Sequence, residues 1–155
     1  MKAAHIVGLI LCFTHSAKAI DRSPFLERAQ VVKATDGDRL VRLARKTIVS
    51  VVRYGDMAPL VPRVEREAPA PFGVFVTLVN RRGVTRGCFG SMESMGRTLS
   101  ELTVEAALGA SRYDVRVRPI ANSELDELQV IVSLVGPQVP VVTMSEVDPE
   151  RHGLL

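Results

Sequence analysis

Residues 73–79, Gly-Val-Phe-Val-Thr-Leu-Val, set the strongest constraint on the fold. Val74, Val76 and Leu78 fall on one side of an extended chain, and Phe75, Thr77 and Val79 on the other. The segment therefore reads as a strand buried on at least one face. Asn80-Arg81-Arg82-Gly83 turns the chain back, since Asn and Gly accept the backbone angles of a tight reversal. Val84-Thr85 begin the return, and Arg86-Gly87-Cys88-Phe89-Gly90-Ser91 reads as the turn where that strand ends. No other short stretch is as dense in reactive and special-backbone residues.

Two segments have the periodicity of helices that pack on such a strand. Leu40, Leu43-Ala44, Thr47-Ile48 and Val51-Val52 recur at helical spacing, with Arg39, Arg42, Lys46 and Arg53 on a solvated outer face. Asp36 and Asp38 stand where a helix N-terminus favours negative charge, and Gly55 follows the end. Upstream, residues 20–36 read as a linker, helical at most in its middle. Thr98-Leu99-Ser100-Glu101 has the form of a capping box. It opens a helix running to about Arg112, with Leu99, Leu102, Ala106, Ala107 and Ala110 inward. Pro59, Pro62, Pro69 and Pro71 make residues 56–72 an irregular crossing loop. Residues 123–127 form a short turn, 128–135 a second strong strand, and 139–144 a last short one. The expected fold class is α/β of the α+β type, a single mixed domain whose sheet packs against two main helices.

The aliphatic content supports a core of Val, Leu, Ile and Ala, because the chain holds only five Phe, two Tyr and no Trp. Charges of opposite sign alternate, as in Arg63-Val64-Glu65-Arg66-Glu67, which argues against a nucleic-acid surface. Aromatics are too few to stack single-stranded bases. At the start, Met1-Lys2, the apolar residues 6–13 and Ala17-Lys18-Ala19 make the three-part pattern of a cleaved secretory signal. The apolar part is too short to span a membrane, and no second segment approaches that length. Residues 1–19 are expected to leave by cleavage near Ala19, with export to a periplasm or the medium. Cleavage removes Cys12, His5 and His15 and leaves Cys88 and His152. A chain so depleted forms no internal disulfide and no Cys/His metal site, and the reading calls for no cofactor.

Several motifs fall in a telling order. Leu43-Ala44-Arg45-Lys46-Thr47-Ile48 comes first, then residues 73–78, then Arg86-Gly87-Cys88-Phe89-Gly90-Ser91. A helix over residues 106–116 ends in Asp114-Val115-Arg116; Glu124-Leu125 precedes the strand 128–134, and His152-Gly153-Leu154 closes the series. Together they resemble the AMMECR-type domain family, whose bacterial members include the A component of the so-called AmmeMemoRadiSam system. The resemblance covers residues 37–155 and implies a mixed domain of helices and sheet, lacking the family's C-terminal part. Where the family usually has Pro and an aromatic around its Asp-x-Arg, this chain has Val115 and Val117. The resemblance brings no assigned reaction, and no catalytic residue is carried over from it.

The hexapeptide admits three chemistries. In the first, the chain is a binding module. Arg86, Gly87, Cys88, Gly90 and Ser91, with Asp114 and Arg116, would line a site for a small anionic ligand or a protein partner. In the second, Cys88 is the nucleophile of a hydrolase or transferase, with Arg86 favouring the thiolate, His152 as base, and Asp114 or Glu124 orienting the imidazole. In the third, Cys88 is a small buried hydrophobe, and the glycines serve only to bend or pack the chain. There Arg86 would cap a carbonyl or pair with Asp114 or Glu101. Oligomeric state has no signature in the sequence.

Overall fold

In the computed structural model the described residues are 9–10, 23–55, 67–136, 143 and 145. Their elements run β1 (Leu9–Ile10), α1 (Ser23–Tyr54), β2 (Gly73–Val79), β3 (Thr85–Ser91), α2 (Leu99–Leu108) and β4 (Gln129–Val135). A π-helical turn, Gly109–Tyr113, extends α2, and a 3-10 turn, Asn122–Glu127, leads into β4. The final strand expected over 139–144, the prolines Pro59 and Pro62, and His152 lie outside the described residues.

The sheet order is β1-β4-β2-β3. The three long strands are antiparallel, with Val76 opposite both Phe89 on β3 and Val132 on β4. Leu9 and Ile10 lie parallel to the end of β4, opposite Leu134 and Val135. They belong to the apolar stretch read as a leader.

The alternation of β2 sets the layering. Val74, Val76 and Leu78 are each 0% exposed, and with Val130, Val132 and Leu134 they meet Leu40, Ala44 and Ile48 of α1 and Leu102, Ala106 and Ala107 of α2 in one core. Each buried Val, Leu or Ile side chain contributes about 1.5–3 kcal/mol on leaving water, and the alanines less. The opposite face, with Phe75, Thr77, Val79 and Ile131, is half-buried. The fold is thus a sheet with two main helices, of the α+β type.

Helix α1 begins at Ser23, ahead of the start expected near Asp36. Two contacts hold the extra turns. Ala29 is buried, and the Phe25 ring meets Phe72 edge-on with centroids 5.1 Å apart. Asp36 consequently sits within the helix, where it accepts hydrogen bonds from Thr35 Oγ1 at 2.8 Å and Arg39 Nε at 2.9 Å. Arg39 is only partly solvated, its side chain 40% exposed. It donates to Ser100 Oγ at 2.7 Å and Glu67 Oε1 at 3.3 Å, joining α1 to the start of α2. Glu67 in turn accepts from the Ser100 backbone N–H, so a carboxylate meets the positive end of α2. The capping box is present: Thr98 Oγ1 accepts from Glu101 N at 3.2 Å, and Glu101 Oε2 accepts from Thr98 N at 2.8 Å.

Candidate functional site

The hexapeptide is not a turn. Residues 86–91 lie inside β3, with Gly87 opposite Leu78, Cys88 opposite Thr77 and Gly90 opposite Phe75. The reversal is complete before Thr85. There Asn80 N donates to Val84 O at 2.9 Å, and Asn80 Oδ1 accepts from Arg82 N and Val84 N. Between the pairs Leu78/Gly87 and Val79/Thr85 the register slips at Arg86, the signature of a β-bulge, which re-aims a side chain.

Glycine serves close approach in this strand rather than turning. Neither Gly87 nor Gly90 has a positive φ. A Cβ on Gly87 would collide with the Ala110 carbonyl oxygen in the π-helical turn, and one on Gly109 would strike the Phe89 ring. The wider turn after α2 therefore lies directly against β3. Its end delivers Asp114 to the strand.

Asp114 Oδ2 accepts the Cys88 backbone N–H at 2.8 Å, and Arg116 Nη2 donates to the Cys88 carbonyl at 3.1 Å. The two side chains are also joined, Arg116 Nε to Asp114 Oδ1 and Nη2 to Oδ2, both at 2.8 Å. Asp114 is 5% exposed at its side chain and Arg116 67%. The Arg116 guanidinium holds the Asp114 carboxyl well below the usual carboxylate range, assisted by the Cys88 and Arg116 amides and opposed by burial. The carboxylate thus occupies the position an anionic ligand would take at the Cys88 amide.

Arg86 pairs with neither Asp114 nor Glu101. Its Nε donates to Glu124 Oε1 at 2.7 Å and Nη2 to Oε2 at 3.2 Å. Glu124 Oε2 also accepts the Ala121 amide at 2.9 Å. Arg86, followed by this amide, lowers the Glu124 carboxyl against the cost of burial. A guanidinium held in two places by a carboxylate is a structural tie. Ser91 Oγ donates to Glu93 O at 2.6 Å, closing the chain after the strand.

Cys88 is a free thiol, half-buried on the face away from the helices. Its sulfur accepts from Thr77 Oγ1 at 3.3 Å. It is therefore not a residue of the main core. No histidine lies among the described residues, so the pairing with His152 falls outside them. No group of His, Cys, Asp and Glu among the described residues is arranged to hold a metal. A small crevice lined by Val32, Gly37, Leu40, Val132 and Leu134 sits between α1 and β4, on the other side of the sheet from Cys88.

The structure thus brings Arg86, Gly87, Cys88, Asp114 and Arg116 into one constellation, with Gly90 and Ser91 further along the same strand. Sequence reasoning missed two arginines that lock the elements around it. Arg45 donates to the Leu128 carbonyl at 2.8 Å and the Leu125 carbonyl at 2.5 Å. Arg112 Nη2 donates to the Val51 carbonyl at 2.8 Å near the end of α1. The only prior sign for Arg45 was its place within the first-helix motif.

Comparison with known proteins gives the chain its family. The AMMECR1 family model matches residues 41–155. A protein of Thermotoga maritima is 33% identical over 116 residues, covering 74% of this chain and 67% of its own length. One of Methanopyrus kandleri is 36% identical over 128 residues, covering 77% of this chain and 61% of its own. The crystal structure of an uncharacterized protein from Pyrococcus horikoshii aligns with a TM-score of 0.54 at 34% identity, covering 61% of this chain and 48% of that one. The chain therefore spans only about half to two thirds of the length of these relatives. On the family match and these identities, the chain belongs to the AMMECR1 family.

Proposed function

We propose that the chain is a protein-binding module whose recognition surface is the outward face of the sheet around Cys88. One observation carries this reading. The helices seal Val74, Val76 and Leu78, while Phe75, Thr77, Val79, Cys88 and Ile131 form a half-exposed, largely apolar opposite face. The charged groups beside it, Arg86 with Glu124 and Asp114 with Arg116, are already paired. An apolar centre with an internally satisfied polar margin suits a protein surface better than a small anion, which would need donors not already taken. The weaker alternative, Cys88 as nucleophile of a hydrolase or transferase, depends on His152. The sulfur's described partner is the Thr77 hydroxyl, which is no base at neutral pH.

The test is selection of random twelve-residue peptides on immobilised protein, counter-screened against an Ile131→Glu variant of unchanged melting temperature. Peptides that bind the parent, lose the variant and slow alkylation of Cys88 support the reading. Peptides that bind both proteins alike, or leave alkylation untouched, overturn it. Native Cys88 that alkylates many times faster than the unfolded chain would favour the nucleophile instead.

Export belongs to the same proposal, resting on Lys2, the apolar residues 6–13 and Ala17-Lys18-Ala19. Among the described residues no helix is long and apolar enough to cross a membrane. Cleavage near Ala19 would also remove Leu9 and Ile10 from the edge of β4. N-terminal sequencing of protein recovered from the envelope or medium checks this, and a retained Met1 in a cytosolic fraction contradicts it. The narrower kinship with the A component of the AmmeMemoRadiSam system rests on the Arg-Gly-Cys-x-Gly-Ser motif and is likewise proposed.

A further inference from the structure

Among the described strands β3 is outermost, so alternate backbone N–H and C=O groups along it face away from β2. Such an edge is a template for pairing with another chain. At its middle residue, Cys88, both outward groups are taken: the N–H by the Asp114 carboxylate and the C=O by the Arg116 guanidinium. These are one acceptor and one donor, the two groups that a residue of a neighbouring antiparallel strand would offer. The Asp-x-Arg spacing places both on the same side, while Val115 between them is 98% exposed. Water alone can satisfy the backbone of an exposed edge. A carboxylate buried to 5% exposure and fixed there by the π-helical turn does more than satisfy it.

We propose that Asp114 and Arg116 form a plug that imitates a strand, and that it prevents β3 from pairing with β3 of a second copy of this chain. The strand is self-complementary about Cys88. A two-fold antiparallel pairing centred there would set Phe89 opposite Gly87 and Arg86 opposite Gly90, large against small and with no like charges facing. It carries no proline and has one charged residue, Arg86, which is already neutralised by Glu124. This proposal concerns the strand's edge and stands independently of the binding reading for the sheet face.

The experiment uses the full chain carrying Cys12→Ser, so that Cys88 is the sole thiol, compared with the same chain carrying Asp114→Asn or Arg116→Ala. Sedimentation velocity gives the monomer–dimer equilibrium, and mild oxidation reports proximity, because a hydrogen-bonded Cys88/Cys88 pair has Cα atoms about 5.5 Å apart, within disulfide reach. The plugged parent is expected to stay monomeric. Each variant should dimerise at least ten-fold more tightly and form the Cys88 disulfide. Variants as monomeric as the parent overturn the proposal, as do dimers that do not cross-link through Cys88 or a parent that cross-links as readily. Circular dichroism checks folding. If Asp114→Asn unfolds, Arg116→Ala decides alone, since its side chain is largely exposed and its loss frees the Cys88 carbonyl and removes the cation that fixes Asp114 on the Cys88 amide.

Discussion

Arg86 and Glu124, 38 positions apart, grip each other through two hydrogen bonds of 2.7 and 3.2 Å. The bond ties the bulged start of β3 to the 3-10 turn that leads into β4, so it joins both ends of the sheet's antiparallel core. It also turns the Arg86 guanidinium to Glu124 and not to Cys88.

Removing that tie should lower stability. Arg86→Ala is expected to cost about 1 kcal/mol, because the pair is two-pronged and only 22% and 31% exposed. Arg86→Lys should recover little, since an ammonium cannot make the fork. Chemical denaturation of both variants, with Glu124→Gln completing a double-mutant cycle, measures the coupling; additive losses would show that the pair contributes nothing.

Asp114 makes a pH-dependent contribution with a definite sign. Its folded-state pKa is depressed, first by the Arg116 side chain and then by the two amides. The stabilisation is therefore complete above the ordinary aspartate value of about 3.9 and is lost as pH falls below it, where the unfolded chain binds the extra proton. Asp114→Asn should melt well below the parent at pH 6, by about 2 kcal/mol for hydrogen bonds to a charged, buried acceptor. The gap should shrink as pH is lowered to about 3. Parallel melting curves across that range would contradict the assignment.

Two glycines in one hairpin should respond differently to the same methyl group. Gly87→Ala pushes a Cβ into the Ala110 carbonyl, rigid backbone that cannot move aside, and is expected to cost about 3 kcal/mol. Gly83→Ala meets open space and pays only for its positive φ of 78°, about 1 kcal/mol. Equal melting temperatures for the two variants would argue against the close packing of the π-helical turn on β3.

Arginines on α1 should likewise separate. Arg45→Ala leaves the Leu125 and Leu128 carbonyls without their donor and is expected to cost about 2 kcal/mol. Arg42→Ala loses only an exposed pair with Asp38 at 3.9 Å and should stay within about 0.5 kcal/mol of the parent. Thermal melts of the two proteins under identical salt check the contrast.

What could be read in the sequence was local. The period-two pattern of residues 74–79 separated the two faces of β2 without choosing the one that meets the helices, and Thr98 with Glu101 marked the start of α2, because both signals lie within a few residues. The hexapeptide was misread for a physical reason. Gly87 and Gly90 depress strand propensity and imitate a reversal, while the demand they meet comes from Ala110 and Phe75, which are distant in sequence. The early start of α1 was hidden similarly, since Phe25 and Ala29 are justified by burial against other elements rather than by dense periodicity. The partners of Arg86, Asp114 and Arg45 are long-range, and charge pattern alone does not choose among several carboxylates or carbonyls. The family motif drew attention to Arg86, Cys88, Asp114 and Arg116, but their bonding partners required the fold.

The mutual fit of Gly87 beneath Ala110 and Gly109 beneath Phe89 has a mechanical consequence. Each segment presents one hollow and one protrusion to the other, so neither can slide along its own axis without a collision. The contact works as a two-toothed latch, fixing the position along the strand at which the chain after α2 returns to the sheet. The length of the loop after Ser91 can vary without disturbing that alignment, whereas a residue inserted between Gly87 and Phe89 would leave only one tooth able to engage at a time.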